Sequence, residues 1–489
     1  MKTTFFTQRS TKGWRLLAGL AALGLVHPLW AADAPTPQPS RAVDAALASQ
    51  WQAPLPHGGQ GEALVGWWQR LGSPTLVALV SAAQEASPDV ASARQRWAQA
   101  QAGWLGAEAA TGPQWQATAG AVRTRPDLAT PALTQVSLGM GMSWEWDLWQ
   151  GQNAAQHSAQ QRFQGAQAQW HDARVATAAT TAQAYFEWRF CDAQSRWTEA
   201  QAGSALETAR LNALAEKAGA LPAAVAQQAE AAARQFRVQA LGTRAQCDRA
   251  IKALVALTAW DESTLRQRLA AEPLSEPKAE AWALAVPSVP GQALAQRPDV
   301  AAAARELEAS AADVKERDAD RYPRVAFNGS LSAAALRSGA VSLDGGLWSF
   351  GPLQVSLPLW DGGRRRANLA AARARYDDQR VIFQAKVRQA VSEVEDALVR
   401  LQSAEARRGE WIGVLDSRQR VHAATTAREK VGMAARLEVE ETHRALLQAQ
   451  MSHTEVLREQ VTAWIALYRA LGGGWNAETL GPEPLQATR

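Results

Sequence analysis

Two stretches of this chain, Gln152–Ala218 and Arg364–Val431, contain no proline and few glycines, and each runs for about 68 residues. At 1.5 Å per residue, each makes a helix of roughly 100 Å. A rod of that length cannot close into a compact domain, so it must be covered along its length in a coiled coil or bundle. Val391, Val394, Leu398 and Leu401 follow the 3, 4, 3 spacing of a packed helical seam.

The two rods belong to a tandem duplication. Pro88-Asp89-Val90 matches Pro298-Asp299-Val300, and a second proline follows at the same interval, at Pro113 and Pro323. Gly151 matches Gly363, and Glu216-Lys217-Ala218-Gly219 matches Glu429-Lys430-Val431-Gly432. Each copy reads as a helix (Pro88–Thr111, Pro298–Arg321), a strand (Gln114–Arg123, Arg324–Leu336) and a polar loop (Thr124–Ala132, Arg337–Gly346). A returning strand (Val136–Trp149, Leu353–Trp360), the long helix and a return helix (Ala223–Leu257, Arg436–Leu471) complete it. The helices flanking each rod nearly sum to its length, which predicts that they cover it end to end. The predicted boundaries are a segment at 35–87, repeat 1 at 88–257, a proline-rich linker or equatorial segment at 258–297, repeat 2 at 298–471 and a tail at 472–489.

The strand Val136–Trp149 alternates strictly. Val136, Leu138, Met140, Met142, Trp144 and Trp146 share one face, and Gly139 and Gly141 lie on the other. It exceeds the 9–11 residues that a membrane strand needs. Lipid cannot satisfy open sheet edges, and barrels start at about eight strands. Four strands per chain therefore predict a homo-oligomeric barrel, as half of eight strands or a third of twelve. The alternative is a soluble β-hairpin on a helical stalk.

The first 34 residues read as a secretory signal peptide. They carry Lys2, Arg9, Lys12 and Arg15, an apolar run at Leu16–Val26, and small residues at Ala31, Ala32 and Ala34. No cysteine lies there, so no N-terminal lipid is expected. The formal charge of +4 falls to near zero once those four cations are removed, which gives no case for nucleic acid. No segment after the signal is apolar over eighteen residues, so no transmembrane helix is expected. Cys191 and Cys247 are the only cysteines and lie equidistant from Gly219. In an antiparallel helix pair this places them at one level, and an oxidising compartment favours a disulfide. Helix rotation pointing the two thiols apart is the alternative.

An ordered set of segments resembles the outer membrane factors of tripartite export systems (TolC/OprM-like, NodT subgroup). The segments are WWQRLGSPTLVALVSAAQEASPDVASAR, SWEWDLWQG, LAQRPDVAAAARELEASAADV, VSLPLWDGGRRRANLAAARARY and GMAARLEVEETHRAL, within residues 62–475. The resemblance implies an α+β membrane protein. Each tandem-duplicated chain would give four strands to a trimeric 12-stranded β-barrel, above a long periplasmic α-helical barrel of coiled-coil hairpins. It implies an outer-membrane exit duct that passively conducts small molecules delivered by a periplasmic adaptor and an inner-membrane transporter. Many relatives carry a lipid on an N-terminal cysteine; this chain departs from that pattern.

By the same resemblance the two hairpin tips contact the adaptor. The candidate residues are Gly219, Leu221 and Val225 in the first tip, and Gly432, Met433, Leu437 and Val439 in the second. Relatives close the periplasmic end with two acids three positions apart, a place held here by Glu438 and Glu441, with Arg436 and Arg444 as expected pairing partners. Six carboxylates in a trimer would favour cations; the alternative is a solvated acidic helix face. Val136, Leu138, Met140, Met142, Trp144 and Trp146 are expected to face lipid, and Gly139 and Gly141 the lumen.

An enzyme is not expected. The seven histidines show no HExxH spacing, and HGGQGEALVG near residue 57 lacks the strand and lysine of a phosphate loop. No cofactor or metal is implied. Two other readings stay open: the outer-membrane component of a type I protein secretion system, and a structural or adhesive coiled-coil protein. The latter offers no reason for two matched hairpins.

Overall fold

A computed structural model describes residues 51–55, 66–125, 131–272, 282, 286–287, 290–339 and 341–475. The signal peptide, the glycine-rich stretch from residue 57 and the tail after 475 lie outside these residues. In chain order the elements are α1 (Trp67–Arg70), α2 (Pro74–Ala86), α3 (Pro88–Ala110), β1 (Gln114–Thr124), β2 (Leu133–Trp146), α4 (Gly151–Lys217) and α5 (Ala223–Thr258). Then follow α6 (Glu262–Ala271), α7 (Pro290–Ala295), α8 (Pro298–Ala319), β3 (Arg324–Ser338), β4 (Val341–Ser356), α9 (Arg364–Lys430) and α10 (Arg436–Ala470).

The two 67-residue helices, α4 and α9, form the long axis. On α4, the upper half is covered by α3: Trp97 stacks on Phe163 and Trp170, and Trp104 stacks on Phe163. Its lower half is covered by α5, where Ala233 packs with Ala205 and Ala209. Alanine suits this seam because it lets two long helices approach closely and costs no side-chain entropy. The second rod is built alike, with α8 on one part of α9 and α10 on another.

The repeats interlock. From α8, Asp313 accepts hydrogen bonds from Ser158 (2.5 Å) and Arg162 (2.5 Å) of α4. From α10, Gln448 accepts from Gln201 and Arg458 pairs with Glu187, both on α4.

The predicted linker after α5 contains folded structure. Asp261 caps α6 by accepting from Ser263 N (3.0 Å) and Thr264 N (3.3 Å), and Leu265 and Leu269 are buried. They join a core around Trp67, Trp282 and Tyr468, in which Trp67 stacks on Tyr468 with ring centroids 5.0 Å apart. The two matched prolines open α3 and α8 at their first turns, where a missing N–H costs nothing. The residues before them differ. Ser87 caps α3 by accepting from Val90 N (3.3 Å). Arg297, before α8, is buried; it pairs with Asp299 (2.9 Å) and Glu393 (2.7 Å) and donates to Ala470 O (3.0 Å). Burial alone would push the Asp299 carboxyl up, but its bond to Arg297 and that cation's charge hold it below its ordinary value.

The four strands form one antiparallel sheet in the order β1-β2-β3-β4. β2 ends at Trp146, three residues before the predicted end, because Asp147 turns the chain into α4 by accepting from Gln152 N (3.1 Å) and Asn153 N (2.8 Å). Asp361 does the same for α9, accepting from Gly363 N (3.0 Å) and Arg365 N (3.1 Å). β4 differs more from expectation. Asp344-Gly345-Gly346, the end of the expected polar loop and carrying its Asp-Gly turn signal, lie inside the strand opposite Ala335, Ala334 and Ala333. A turn there would leave the end of β3 unpaired, so the chain reverses at Gly339 (φ 59) instead. A bulge then places Gly351 (φ 93) and Pro352 opposite Asn328.

Candidate functional site: hairpin tips and sheet wall

At the far end of the rods, α4 turns into α5 and α9 into α10. Gly219 N donates to Glu216 O (2.8 Å) and Ala220 N to Ala215 O (2.8 Å). Gly432 N donates to Glu429 O (2.9 Å) and Met433 N to Arg428 O (2.9 Å). Both glycines are left-handed, at φ 72 and 74, as this helix ending requires. The return helices restart from extended caps at Pro222 and Ala435. The two turns therefore match residue for residue, and what differs is their side chains.

That match corrects one expected tip residue. Val439 corresponds to Ala226, not to Val225, and both Val439 (3 % exposed) and Ala226 (5 %) are buried between helices. Val439 thus offers no surface at the tip. Gly219, Val225, Gly432 and Met433 are exposed, and Leu221 and Leu437 are half-buried.

The expected pairing of Arg436 and Arg444 with Glu438 and Glu441 is also corrected. Glu438 pairs with Arg428 (3.1 Å), whose guanidinium also donates to Met433 O (2.9 Å) and so clamps the second tip. Arg436 pairs with Glu440 (2.8 Å), and Arg444 donates to Thr208 on α4 (2.5 Å). Glu441 is exposed and forms no ion pair among the described residues. The competing partner is Glu440, a residue not among those expected at the gate. It is buried and accepts from Ser204 (2.7 Å). Its phase with Leu447 and Met451 was the signal: seven- and eleven-residue steps return to one helix face. Nearby, the His422 and His443 rings stack with centroids 5.1 Å apart. Burial, then the neighbouring His422, pushes the His443 ring below its ordinary value.

Cys191 on α4 and Cys247 on α5 are joined as a disulfide, with Cα atoms 5.4 Å apart.

At the opposite end, the register fixes the faces of the sheet, because directly paired residues share a side. Met140 is opposite Ala117 and Leu331, and Leu331 is opposite Trp348. Val136, Leu138, Trp144 and Trp146 lie on this same apolar face. It is open: Leu138 is 65 % exposed and Trp348 77 %. The other face is polar. Asn328 donates to Gln354, and the Ser330 and Ser349 hydroxyls are 2.8 Å apart. On that side, Gly139 lies between Thr118 and Ser332, and an added Cβ would come within 3.3 Å of Ser332 Cβ. The polar side is thus the crowded one at this point.

A family model described as "Outer membrane efflux protein" matches residues 79–259 and 289–473. The chain belongs to the outer membrane efflux protein family. This efflux protein is 27% identical over 461 residues to the pyoverdine export outer membrane protein OpmQ of Pseudomonas aeruginosa, covering 91% of this chain and 95% of OpmQ. It also matches solved structures. With the outer-membrane channel OprN the TM-score is 0.74 at 23% identity, covering 91% of this chain and 98% of that one. With the CmeC outer membrane channel of Campylobacter jejuni it is 0.74 at 19% identity, covering 86% and 90%. The shared fold is the channel fold of this efflux family, a helical barrel joined to a β domain.

Proposed function

We propose that three copies of this chain form the outer-membrane exit duct of a tripartite efflux pump. Small molecules pass through it passively, delivered by a periplasmic adaptor and an inner-membrane transporter. One observation carries this reading. The sheet has four strands with both outer edges, β1 and β4, unpaired among the described residues, and its apolar face is uncovered. Water does not stabilise such a sheet, and lipid tolerates it only when it is closed. Three copies close a barrel of twelve strands, with Val136, Leu138, Met140, Met142, Trp144 and Trp146 toward lipid and the Ser/Asn/Gln face toward a water-filled lumen.

The helices then extend into the periplasm, and the tips around Gly219, Leu221, Val225, Gly432, Met433 and Leu437 meet the adaptor. Glu438 and Glu441 line the narrow end, where Glu441 contributes the unpaired charge. Anchoring rests on the barrel, without an N-terminal lipid, and the reading involves no cofactor and no nucleic acid. The test is purification from outer-membrane fractions followed by insertion into a planar bilayer. The reading expects a heat-modifiable trimer that conducts ions; a soluble, non-conducting monomer contradicts it.

A further inference from the structure

The outward face of the sheet is arranged in rows that cross β2, β3 and β4, and β1 as well from the Met142 row onward. From the row of Trp146 to the row of Val136 it is apolar, apart from Asp344 at the far edge. Ten residue steps at about 3.4 Å, tilted as barrel strands are, span roughly 25 Å, the height of a barrel's apolar band.

The next row, on the hairpin-loop side, reads Arg123, Thr134, Arg337 and Ser342 in register. Thr134 is opposite both arginines, which sets their Cα atoms roughly 10 Å apart, two strand spacings. These are the only basic residues on the outward face of the sheet, and both are exposed. Within one chain, neither has a carboxylate partner among the described residues, and Asp344, one row inward, pairs with neither. The helix-side rim of the same face ends in Trp146, Val325 and Val355 and carries no cation.

A guanidinium held at the edge of hydrocarbon needs an anion, and its planar fork matches phosphate. Two arginines set two strands apart by the register, with the Thr134 hydroxyl between them, suit two phosphates carried on one sugar headgroup. The charge asymmetry between the rims places that headgroup in one leaflet only. We propose that Arg123 and Arg337 form a docking site for the phosphorylated saccharide headgroup of lipopolysaccharide in the outer leaflet. This rests on the channel reading, which puts the hairpin loops outside the cell.

The test uses the full-length protein in detergent, with bisphosphoryl lipid A as the probe and native mass spectrometry as the readout. Each arginine near a charged headgroup contributes roughly fivefold in affinity, so R123Q/R337Q is expected to bind lipid A about 25-fold more weakly. R364Q/R366Q, in the first turn of α9 beyond the helix-side end of β4, is expected to bind as wild type does. Lipid A lacking both phosphates is expected to bind wild type as weakly as bisphosphoryl lipid A binds the double variant. Unchanged lipid A binding by R123Q/R337Q overturns the site, as does phosphatidylglycerol binding wild type as tightly as lipid A does. Bilayer conductance measured on the same preparations separates the two readings. A conducting trimer that ignores lipid A overturns the site alone. A wild-type protein that neither trimerises nor binds lipid A overturns the channel reading and the site with it.

Discussion

Cys191 and Cys247 tie the first helical hairpin together covalently, with Gly219 at the midpoint of the loop they close. In the second hairpin the corresponding positions are Ala404 and Gln460, so only one of the two hairpins is stapled. Closing a loop of 56 residues removes unfolded-state entropy worth about 4 kcal/mol in the chain-entropy model. C191S/C247S is therefore expected to lower the free energy of unfolding in denaturant by about 2–4 kcal/mol. An unchanged midpoint would show that helix packing alone holds the hairpin.

The second hairpin is held at its tip by charge. Because Arg428 already neutralises Glu438, E441Q is expected to reduce cation-over-anion permeability more than E438Q does. The measurement is the reversal potential across a bilayer in asymmetric salt. A larger effect of E438Q would show that the pair with Arg428 opens in the conducting channel.

Two left-handed glycines separate backbone strain from steric exclusion. Gly219 (φ 72) has open space around an added Cβ, so G219A is expected to cost about 1 kcal/mol. Gly472 (φ 81) would place a Cβ 2.0 Å from Gln296 O, where the chain leaving α10 crosses the start of α8. G472A is expected to cost at least about 3 kcal/mol, as overpacking adds to the strain. Comparative thermal unfolding of the two variants checks the order.

Acid should weaken the fold through His171. Burial, then the neighbouring Arg174 charge, lowers its pKa from 6.5 to about 4. The folded state thus resists protonation that the unfolded chain accepts. The stability contribution is full above pH 6.5, declines as pH falls and is lost by about pH 4. His443, lowered in the same direction, adds to this. The melting temperature of H171Q is expected to fall less than that of wild type between pH 7 and pH 5; equal losses would contradict the assignment.

Much of this architecture is legible in the sequence because it is periodic or repeated. The Pro-Asp-Val markers locate the starts of α3 and α8, the proline-free runs show α4 and α9, and the alternation from Val136 shows which residues share a face. Features that depend on distant partners were less legible. The Asp344-Gly345 turn signal is local, but pairing with Ala334 and Ala335 overrides it. Arg436 lies beside three glutamates in sequence, and only helix phase and Ser204 on α4 select Glu440. Arg297 stands where the first repeat has Ser87, and nothing nearby reveals that Glu393 and the Ala470 carbonyl complete its site.

The most direct test of the barrel is site-directed labelling of M140C and G141C in the assembled protein in lipid, with the native disulfide left intact. The two positions are adjacent on β2 and lie on opposite faces. M140C is expected to react with a membrane-restricted probe and G141C only with a water-soluble one. Reaction of both with the water-soluble probe, and of neither with the membrane probe, would contradict it.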